Sequence, residues 1–378
     1  MVFSSLRCID CGHMYGIDRS RYRCDRCGGL LEVTHEFGDQ LYDFRKRGVW
    51  KYRYLIHPAL PESLTVSRNE GATTMYRSDR VSQYAGISLH LKHDGENPTG
   101  SFKDRGMTVA VSEALRLGMK RTVCASTGNT AASAASYSAV AGMECTVYVP
   151  AGKVSQSKMA QTLAYGARVV EVDGTFDNAL EESLDLVEDG SYTLNSINPW
   201  RVEGQKTVLY EILECMSDVD IISVPAGNLG NTSAIGKAIM ELDTLGLLKK
   251  VPRLVAVQAE GAAPFYRMWV EHSESISRVE PVTVASAIRI GNPVSWKKAR
   301  RAIEYTSGTV VSVSDEEILE AKRCIDRAGI GCEPASAASV AGIRKMVQEG
   351  EISRDERVVA ILTGNLLKDP MSPVGNKV

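Results

Sequence analysis

Lys103 stands in the run E-N-P-T-G-S-F-K-D-R-G, residues 96–106, at a junction between a loop and a helix. A lysine there feels the positive end of the helix dipole, which lowers its pKa, while a nearby phosphate or carboxylate would oppose the shift. A partly deprotonated amine is a good Schiff-base nucleophile. Most lysines are surface solubilisers, but Ser101, Phe102, Asp104 and Gly106 do not read as a simple exposed face. A second run, 221–234, takes a buried strand through Gly227, Asn228, Leu229, Gly230, Asn231 and Thr232 into a helix. Glycines let the main chain curl with several N–H groups inward, and the helix N-terminus adds its dipole. That makes either an anion cradle suited to a phosphate ester or a tight strand-to-helix connection. The spacing is neither of the two common nucleotide-binding glycine patterns. A third run, Ala125 to Thr130, puts Ser126, Thr127, Gly128, Asn129 and Thr130 after a strand and before a helix. Its hydroxyls, amide and free N–H groups suit a carboxylate or a phenolate oxygen. Near the end, Thr363 follows a strand and could supply a neutral hydroxyl.

The cysteines form a separate constellation. Cys8, Cys11, Cys24 and Cys27 are two C-x2-C pairs with twelve residues between them. Two such turns complete a closed, tetrahedral four-sulfur site, which suits structural zinc. Iron in a rubredoxin-like site uses similar spacing, and a redox-active or vestigial set is the other reading. Gly12, Gly28 and Gly29 follow the pairs, where glycine turns amides toward sulfur without a Cβ penalty. So short a segment cannot bury enough apolar surface to fold alone, so a metal staple makes physical sense. Residues 1–34 hold five arginines against four acids, too balanced for a nucleic-acid ribbon. A structural or subunit-contact role suits it better. Cys124, Cys145, Cys215, Cys324 and Cys332 lie among apolar neighbours and read mostly as core thiols. Cys332, beside Glu333 and Pro334, is a weak candidate to line a site. The six histidines form no triad or metal motif and read as surface or satisfied core groups.

These residues need elements to position them. Strands are expected at Ser88–Lys92, Thr122–Ala125, Cys145–Val149, Arg168–Val172, Ile221–Val224, Leu254–Gln258 and Val358–Leu362. Helices are expected over 104–117 (with Gly118 as C-cap), 129–141, 155–164 and 231–243. Segment 35–66, rich in aromatic and basic residues, reads as a connecting helix and arm. Strand, loop and helix repeating in this way mean an α/β fold with mainly parallel sheets, whose ligands gather at the carboxyl ends of the strands.

Composition bounds the rest. The 378 residues suggest about two or three domains. A net charge of −2, from 44 basic and 46 acidic residues, argues against wholesale binding to nucleic acid or acidic membranes. Apolar runs are too short for a membrane span, and residues 1–7 lack the apolar core of a signal peptide. Nine cysteines, an odd number, point to a reducing cytoplasm rather than a disulfide framework.

Taken together, the motifs resemble the fold-type II pyridoxal-phosphate enzymes, the tryptophan synthase β-like family, and within them the threonine synthases. The resemblance spans about residues 70–370 and rests on seven stretches in the family's order. They are E-N-P-T-G-S-F-K-D-R-G, A-S-T-G-N-T-A-A-S-A-A, N-S-I-N-P-W-R-V-E-G-Q-K-T, P-A-G-N-L-G-N-T, A-I-R-I-G-N-P, C-E-P-A-S-A-A and L-T-G-N-L-L-K-D-P. The N-terminal ribbon also occurs in some threonine synthase-like proteins. The resemblance implies two lobes, each with a mainly parallel sheet flanked by helices. It places a zinc-ribbon-like domain at 1–34, a large cofactor-binding lobe at 35–93 and 201–378, and a small lobe at 94–200.

The same resemblance implies roles. Lys103 would carry pyridoxal 5′-phosphate through its amine. Gly227, Asn228, Leu229, Gly230 and Asn231 would hold the cofactor's phosphate, Asn129 its 3′ oxygen and Thr363 its pyridine nitrogen. Lys103, Thr130, Asn195, Ser196, Arg201 and Asn228 would meet the phosphate of a substrate. Ser126, Thr127 and Gly128 would take its α-carboxylate, and 287–292 would line the cofactor ring. The implied reaction turns O-phospho-L-homoserine and water into L-threonine and phosphate, the last step of threonine biosynthesis, in a cytoplasmic homodimer. Asn365 and Leu366 depart from the histidine and glycine of many members, which puts the substrate in question. Threonine dehydration and β-replacement on O-phosphoserine, such as cysteate synthesis, are the alternatives within this scaffold. Arg201 favours a phosphorylated substrate. A binding module with an inactive enzyme body is the alternative of another class, and an intact Lys103 argues against it.

Overall fold

The computed structural model describes residues 3–152, 156–174, 182 and 190–369. In chain order, its strands are β1 (Ser4–Cys8), β2 (Met14–Tyr15), β3 (Leu31–His35), β4 (Met75–Arg77), β5 (Leu89–His93), β6 (Arg121–Ala125), β7 (Glu144–Pro150), β8 (Arg168–Val172), β9 (Tyr192–Thr193), β10 (Ile221–Pro225), β11 (Arg253–Ala259), β12 (Thr309–Val313) and β13 (Val358–Leu362). The helices that bear on the site are α1 (Lys103–Arg116), α2 (Asn129–Val140), α3 (Pro199–Gln205), α4 (Gly230–Thr244) and α5 (Pro334–Gln348). They belong to two compact units, Met1–Ala72 with Asn97–Thr207, and Thr73–Glu96 with Val208–Val378.

The first unit holds two sheets. The ribbon is an antiparallel sheet in the order β2-β1-β3, with Leu6 facing both Tyr15 and Val33. The second sheet runs β8-β7-β6-β9, all parallel. The arm after the ribbon belongs to this unit: Trp50 donates its indole N–H to Thr108 Oγ1 at 2.8 Å, and Ser112 Oγ accepts from the Val66 amide at 2.9 Å. It contains a 3-10 turn at Gly48–Tyr52 and a single short helix, Arg53–Ile56, rather than a full connecting helix. Its aromatics explain this, because Trp50 and Tyr52 are buried one by one against the body instead of forming a helical stripe.

The second unit is built on a six-stranded sheet, β12-β11-β10-β13-β5-β4, parallel except for the edge pair β4–β5. Strands β10 and β13 are buried at every residue, which suits central parallel strands covered on both faces. Helix α5 lies directly on the sheet: a Cβ at Gly342 would stand 2.6 Å from Val257. The expected strands and helices fall within a residue or two of those observed. Strands β1–β4, β9 and β12, and helices α3 and α5, lay outside the expectation.

Parallel pairing sets the site. Strands β10 and β13 are neighbours, so the 226–229 loop and Thr363 leave adjacent carboxyl ends. Strands β6 and β9 are neighbours in the other sheet, so 126–130 and 195–201 likewise leave one edge.

Candidate active site

Lys103 is the first residue of α1 and half-buried, with its ammonium 4.2 Å from the centre of the Phe102 ring. The loop before it is held by Asp104. That buried carboxylate accepts from the Thr99 amide (2.7 Å), the Thr99 hydroxyl (2.6 Å) and Ser133 on α2 (2.6 Å). Burial pushes the Asp104 carboxyl up, and the Ser133 and Thr99 bonds oppose it. Gly100, at φ 87°, makes the turn that only glycine adopts without strain. Asp104 was not among the expected site residues, although it adjoins Lys103 in the motif.

Arg201 lies on α3, and its helix is fastened to α1 by two backbone contacts. A Cβ at Gly204 would fall 1.7 Å from the Arg105 carbonyl oxygen, and one at Gly106 would fall 2.5 Å from that of Arg201. The helices that carry Lys103 and Arg201 therefore touch main chain to main chain. Asn198 caps α3, accepting from the Trp200 amide at 3.0 Å and donating to the Thr193 carbonyl at 2.8 Å. Arg201 is itself buried, and one guanidinium N–H meets the Leu194 carbonyl at 3.1 Å. Its Nε has no partner, and among the described residues no carboxylate pairs with it. Burial accordingly lowers its pKa to about 10. A buried cation lacking a counter-ion is costly to the fold and ready for an anion.

The neighbouring loop belongs to the same unit. Ser126, Thr127, Gly128, Asn129 and Thr130 are half-buried around the N-terminus of α2, whose first amides have no helical acceptor. Asn195 bridges to the end of β6, accepting from the Ala125 amide and donating to its carbonyl, both at 2.9 Å. One amide hydrogen of Asn195 remains for a ligand. Ser196 is half-buried one residue further on.

On the second unit the loop after β10 curls, but at a different residue from the expected glycines. Leu229 takes the left-handed conformation, φ 64°, at a cost of roughly 1–3 kcal/mol. Gly227 is needed for close approach: a Cβ there would stand 2.8 Å from Ile288 Cα, in the 287–292 loop. Asn228 is anchored by its Oδ1, which accepts from the Val294 amide at 2.8 Å. In the first turn of α4, Asn231 Nδ2 and Thr232 Oγ1 are buried without partners. Two orphaned donors at a helix N-terminus fit a phosphate ester. Thr232 was quoted in the motif but not expected in the site.

Thr363 is buried beside Ser336 on α5, hydroxyl to hydroxyl at 3.1 Å. Ser336 Oγ also accepts from the Gly364 amide at 2.9 Å. Ser336 was not expected either, although it lies in the C-E-P-A-S-A-A run. Asn365 caps a short turn by accepting from the Leu367 amide, and Leu366 packs against Gly331. Cys332 is buried and its thiol is pushed well up, so it is no nucleophile. Burial lifts Cys124 to about 12. Cys215, in contrast, is exposed.

In the ribbon, all four sulfurs of Cys8, Cys11, Cys24 and Cys27 lie within 4.8 Å of one another, compatible with a structural zinc. Gly12 and Gly28 hold φ near 73° and 72° and close the two turns, donating to the carbonyls of Cys8 and Cys24. Gly29 has another reason, since a Cβ there would crowd Asp10 and the Cys8 sulfur.

His57 supports α3 from below, stacked on Trp200 with ring centres 4.1 Å apart and bonded to Glu113 at 3.0 Å. Burial holds its pKa below the ordinary 6.5, against the pull of Glu113. Its Nδ1 has no partner, which agrees with a neutral ring that donates its Nε2–H to Glu113. The unfolded chain therefore takes up a proton near pH 6.5 that the folded chain refuses, and stability falls as pH drops through that value. We expect thermal unfolding to show this loss between about pH 7 and 5. His57→Gln should flatten the slope, and an unchanged slope would remove His57 as its source.

The family described as "Pyridoxal-phosphate dependent enzyme" matches residues 66–364. The threonine synthase of Methanosarcina acetivorans is 48% identical over 380 residues, covering 98% of this chain and 93% of its own length. That of Methanocaldococcus jannaschii is 46% identical, covering 96% and 93%. Among solved structures, maize serine racemase superposes with a TM-score of 0.68 at 21% identity, covering 86% of this chain and 95% of its own. The processed threonine deaminase isoform 2 of Solanum lycopersicum gives 0.67 at 22%, covering 78% and 79%. These two share the fold. With a family match that begins before Lys103 and ends at Gly364, the chain belongs to the pyridoxal-phosphate dependent enzymes.

Proposed function

We propose that this enzyme converts O-phospho-L-homoserine and water into L-threonine and phosphate, as a carbon–oxygen lyase acting on a phosphate ester. The threonine synthase relatives, at 43–48% identity over most of the chain, support the reading. The observation that carries the substrate class is Arg201, buried and without a counter-ion among the described residues. A forked guanidinium in that state selects a phosphate dianion.

The cofactor is pyridoxal phosphate, which when bound supplies the electron sink for bond breaking next to the amino group. Lys103 holds it through the side-chain amine. The 227–231 loop, with Asn231 and Thr232, binds its phosphate. Asn129 bonds its 3′ oxygen, and Thr363 presents a neutral hydroxyl to its ring nitrogen. Ser126, Thr127 and Gly128 orient the substrate carboxylate. Arg201, Thr130, Asn195, Ser196, Asn228 and Lys103 bind the substrate phosphate and match its growing charge as it leaves Cγ. Lys103 moves the protons, taking one from Cα and one from Cβ, delivering one to Cγ after the phosphate has left and returning one to Cα after water has added at Cβ, while the proton that the water releases goes to the departing phosphate. No described helix is long and apolar enough to cross a membrane. The proposal includes a cytoplasmic homodimer, a reading that rests on the unpaired cysteines and on the habit of the family.

Turnover of O-phospho-L-homoserine and of O-phospho-L-serine, each followed by phosphate release and amino-acid detection, tests the reading. Threonine should appear from the first. Phosphate release from O-phospho-L-serine alone would overturn it.

A further inference from the structure

The ribbon grips both ends of the segment that carries Asn195, Ser196 and Arg201. Tyr22 lies between the two cysteine pairs, and its buried phenol oxygen accepts the Thr193 amide at 3.2 Å. Thr193 belongs to β9, the edge strand of its sheet. The ribbon thus supplies the acceptor that a further strand would have supplied. The Tyr22 ring also meets Tyr192 edge-on, with centres 5.9 Å apart.

At the other end, His35 closes β3 with its side chain fully buried. Its Nε2 lies 2.9 Å from Glu203, two residues beyond Arg201 on α3. Its Nδ1 lies 2.8 Å from the Ser4 hydroxyl of β1, so one tautomer satisfies both bonds, with Ser4 donating and Nε2–H donated to Glu203. Glu203 is also paired with Lys206 at 2.5 Å, and Lys206 donates to the Leu55 carbonyl at 2.8 Å. All three side chains are fully buried. The ring of Trp200, next to Arg201, lies 6.3 Å from that of His35 and is stacked on His57.

A ribbon that only stabilised the fold could dock anywhere on the unit. This one bonds the residue two before Asn195 and the residue two after Arg201. We propose that Tyr22 and His35 are positioning residues, through which the ribbon sets the geometry of the substrate-phosphate pocket. The proposal rests on the reading that Asn195, Ser196 and Arg201 bind that phosphate.

The test uses full-length enzyme loaded with cofactor, so that the cofactor's own phosphate cradle is filled. Inorganic phosphate binding is measured by calorimetry, beside steady-state kinetics on O-phospho-L-homoserine. Tyr22→Phe and His35→Leu should each weaken phosphate binding and raise KM by about three- to tenfold, the worth of one buried hydrogen bond. The loss should appear in KM more than in kcat, with the cofactor's visible absorbance unchanged. His35→Gln restores a donor toward Glu203 and should recover most of the affinity. Tyr22→Phe removes a single oxygen, and it carries the test alone if His35→Leu does not fold. A lower melting temperature with wild-type phosphate affinity and KM would overturn the proposal. Arg201→Gln separates the two readings. If it abolishes phosphate binding while the ribbon variants do not affect it, the proposal fails and the substrate reading stands. If it binds phosphate like the wild type, the substrate reading fails and the proposal falls with it.

Discussion

Lys103→Ala is expected to lower kcat/KM by at least about 10³-fold, the upper part of the range for losing a positioned general base. Two tasks disappear with one amine: tethering the cofactor and moving protons at Cα and Cβ. The fold should survive. Lys103 is half-buried at the start of α1, and Asp104 holds the loop before it through Thr99 and Ser133. The variant should therefore still bind the cofactor through the 227–231 cradle, yet without the visible band of the lysine-bound form. Absorbance after reconstitution, read beside turnover, checks both parts. An unchanged band would show that another group carries the cofactor, and Lys103 would lose its role.

Much of this was legible in the sequence, and the parts that were not have physical reasons. Strands β10 and β13 are short runs rich in isoleucine and valine, so their burial and the loops after them could be read directly. The cysteine spacing likewise led to four sulfurs gathered in one place. Conformation within the loops was less legible. Sequence pointed to Gly227 and Gly230 for the curl, but Leu229 takes the left-handed turn while Gly227 makes room for Ile288. The choice depends on a contact sixty residues away, which no local rule contains. Ser336 was hidden for a similar reason: its meeting with Thr363 follows from α5 packing under β13. The bonds of Tyr22 and His35 to 193–203 span about 170 residues and arise only when the ribbon docks. A buried cation such as Arg201 could not be recognised from sequence, because its state is defined by the lack of a carboxylate beside it among the described residues.

That absence makes Arg201→Met a variant with opposed effects. Activity should fall by about 10²–10⁴ in kcat/KM, since charge-assisted bonds to a phosphate are worth roughly 1.5–3 kcal/mol each and the fork makes two. Stability of the ligand-free protein should rise. Burial lowers the Arg201 pKa from 12.5 to about 10, and at neutral pH the side chain is protonated in both folded and unfolded states. The folded state therefore bears the whole desolvation cost, on the order of 3 kcal/mol. Methionine removes that cost and keeps an apolar stem in a buried position. It forfeits the bond from the charged guanidinium to the Leu194 carbonyl, a long one at 3.1 Å and so worth about 1.5 kcal/mol, the low end of the charge-assisted range, and the net gain is small and positive. Each kcal/mol is worth about 2–4 °C in a unit of this size class. Saturating inorganic phosphate reverses the ranking, because a ligand that binds only the folded state stabilises the wild type and leaves the variant unmoved. Melting curves with and without phosphate, on the cofactor-loaded enzyme, decide the matter. A variant that is less stable than the wild type without phosphate, or that gains as much from it, would mean that Arg201 already has its counter-charge within the fold and is not held in readiness for a substrate.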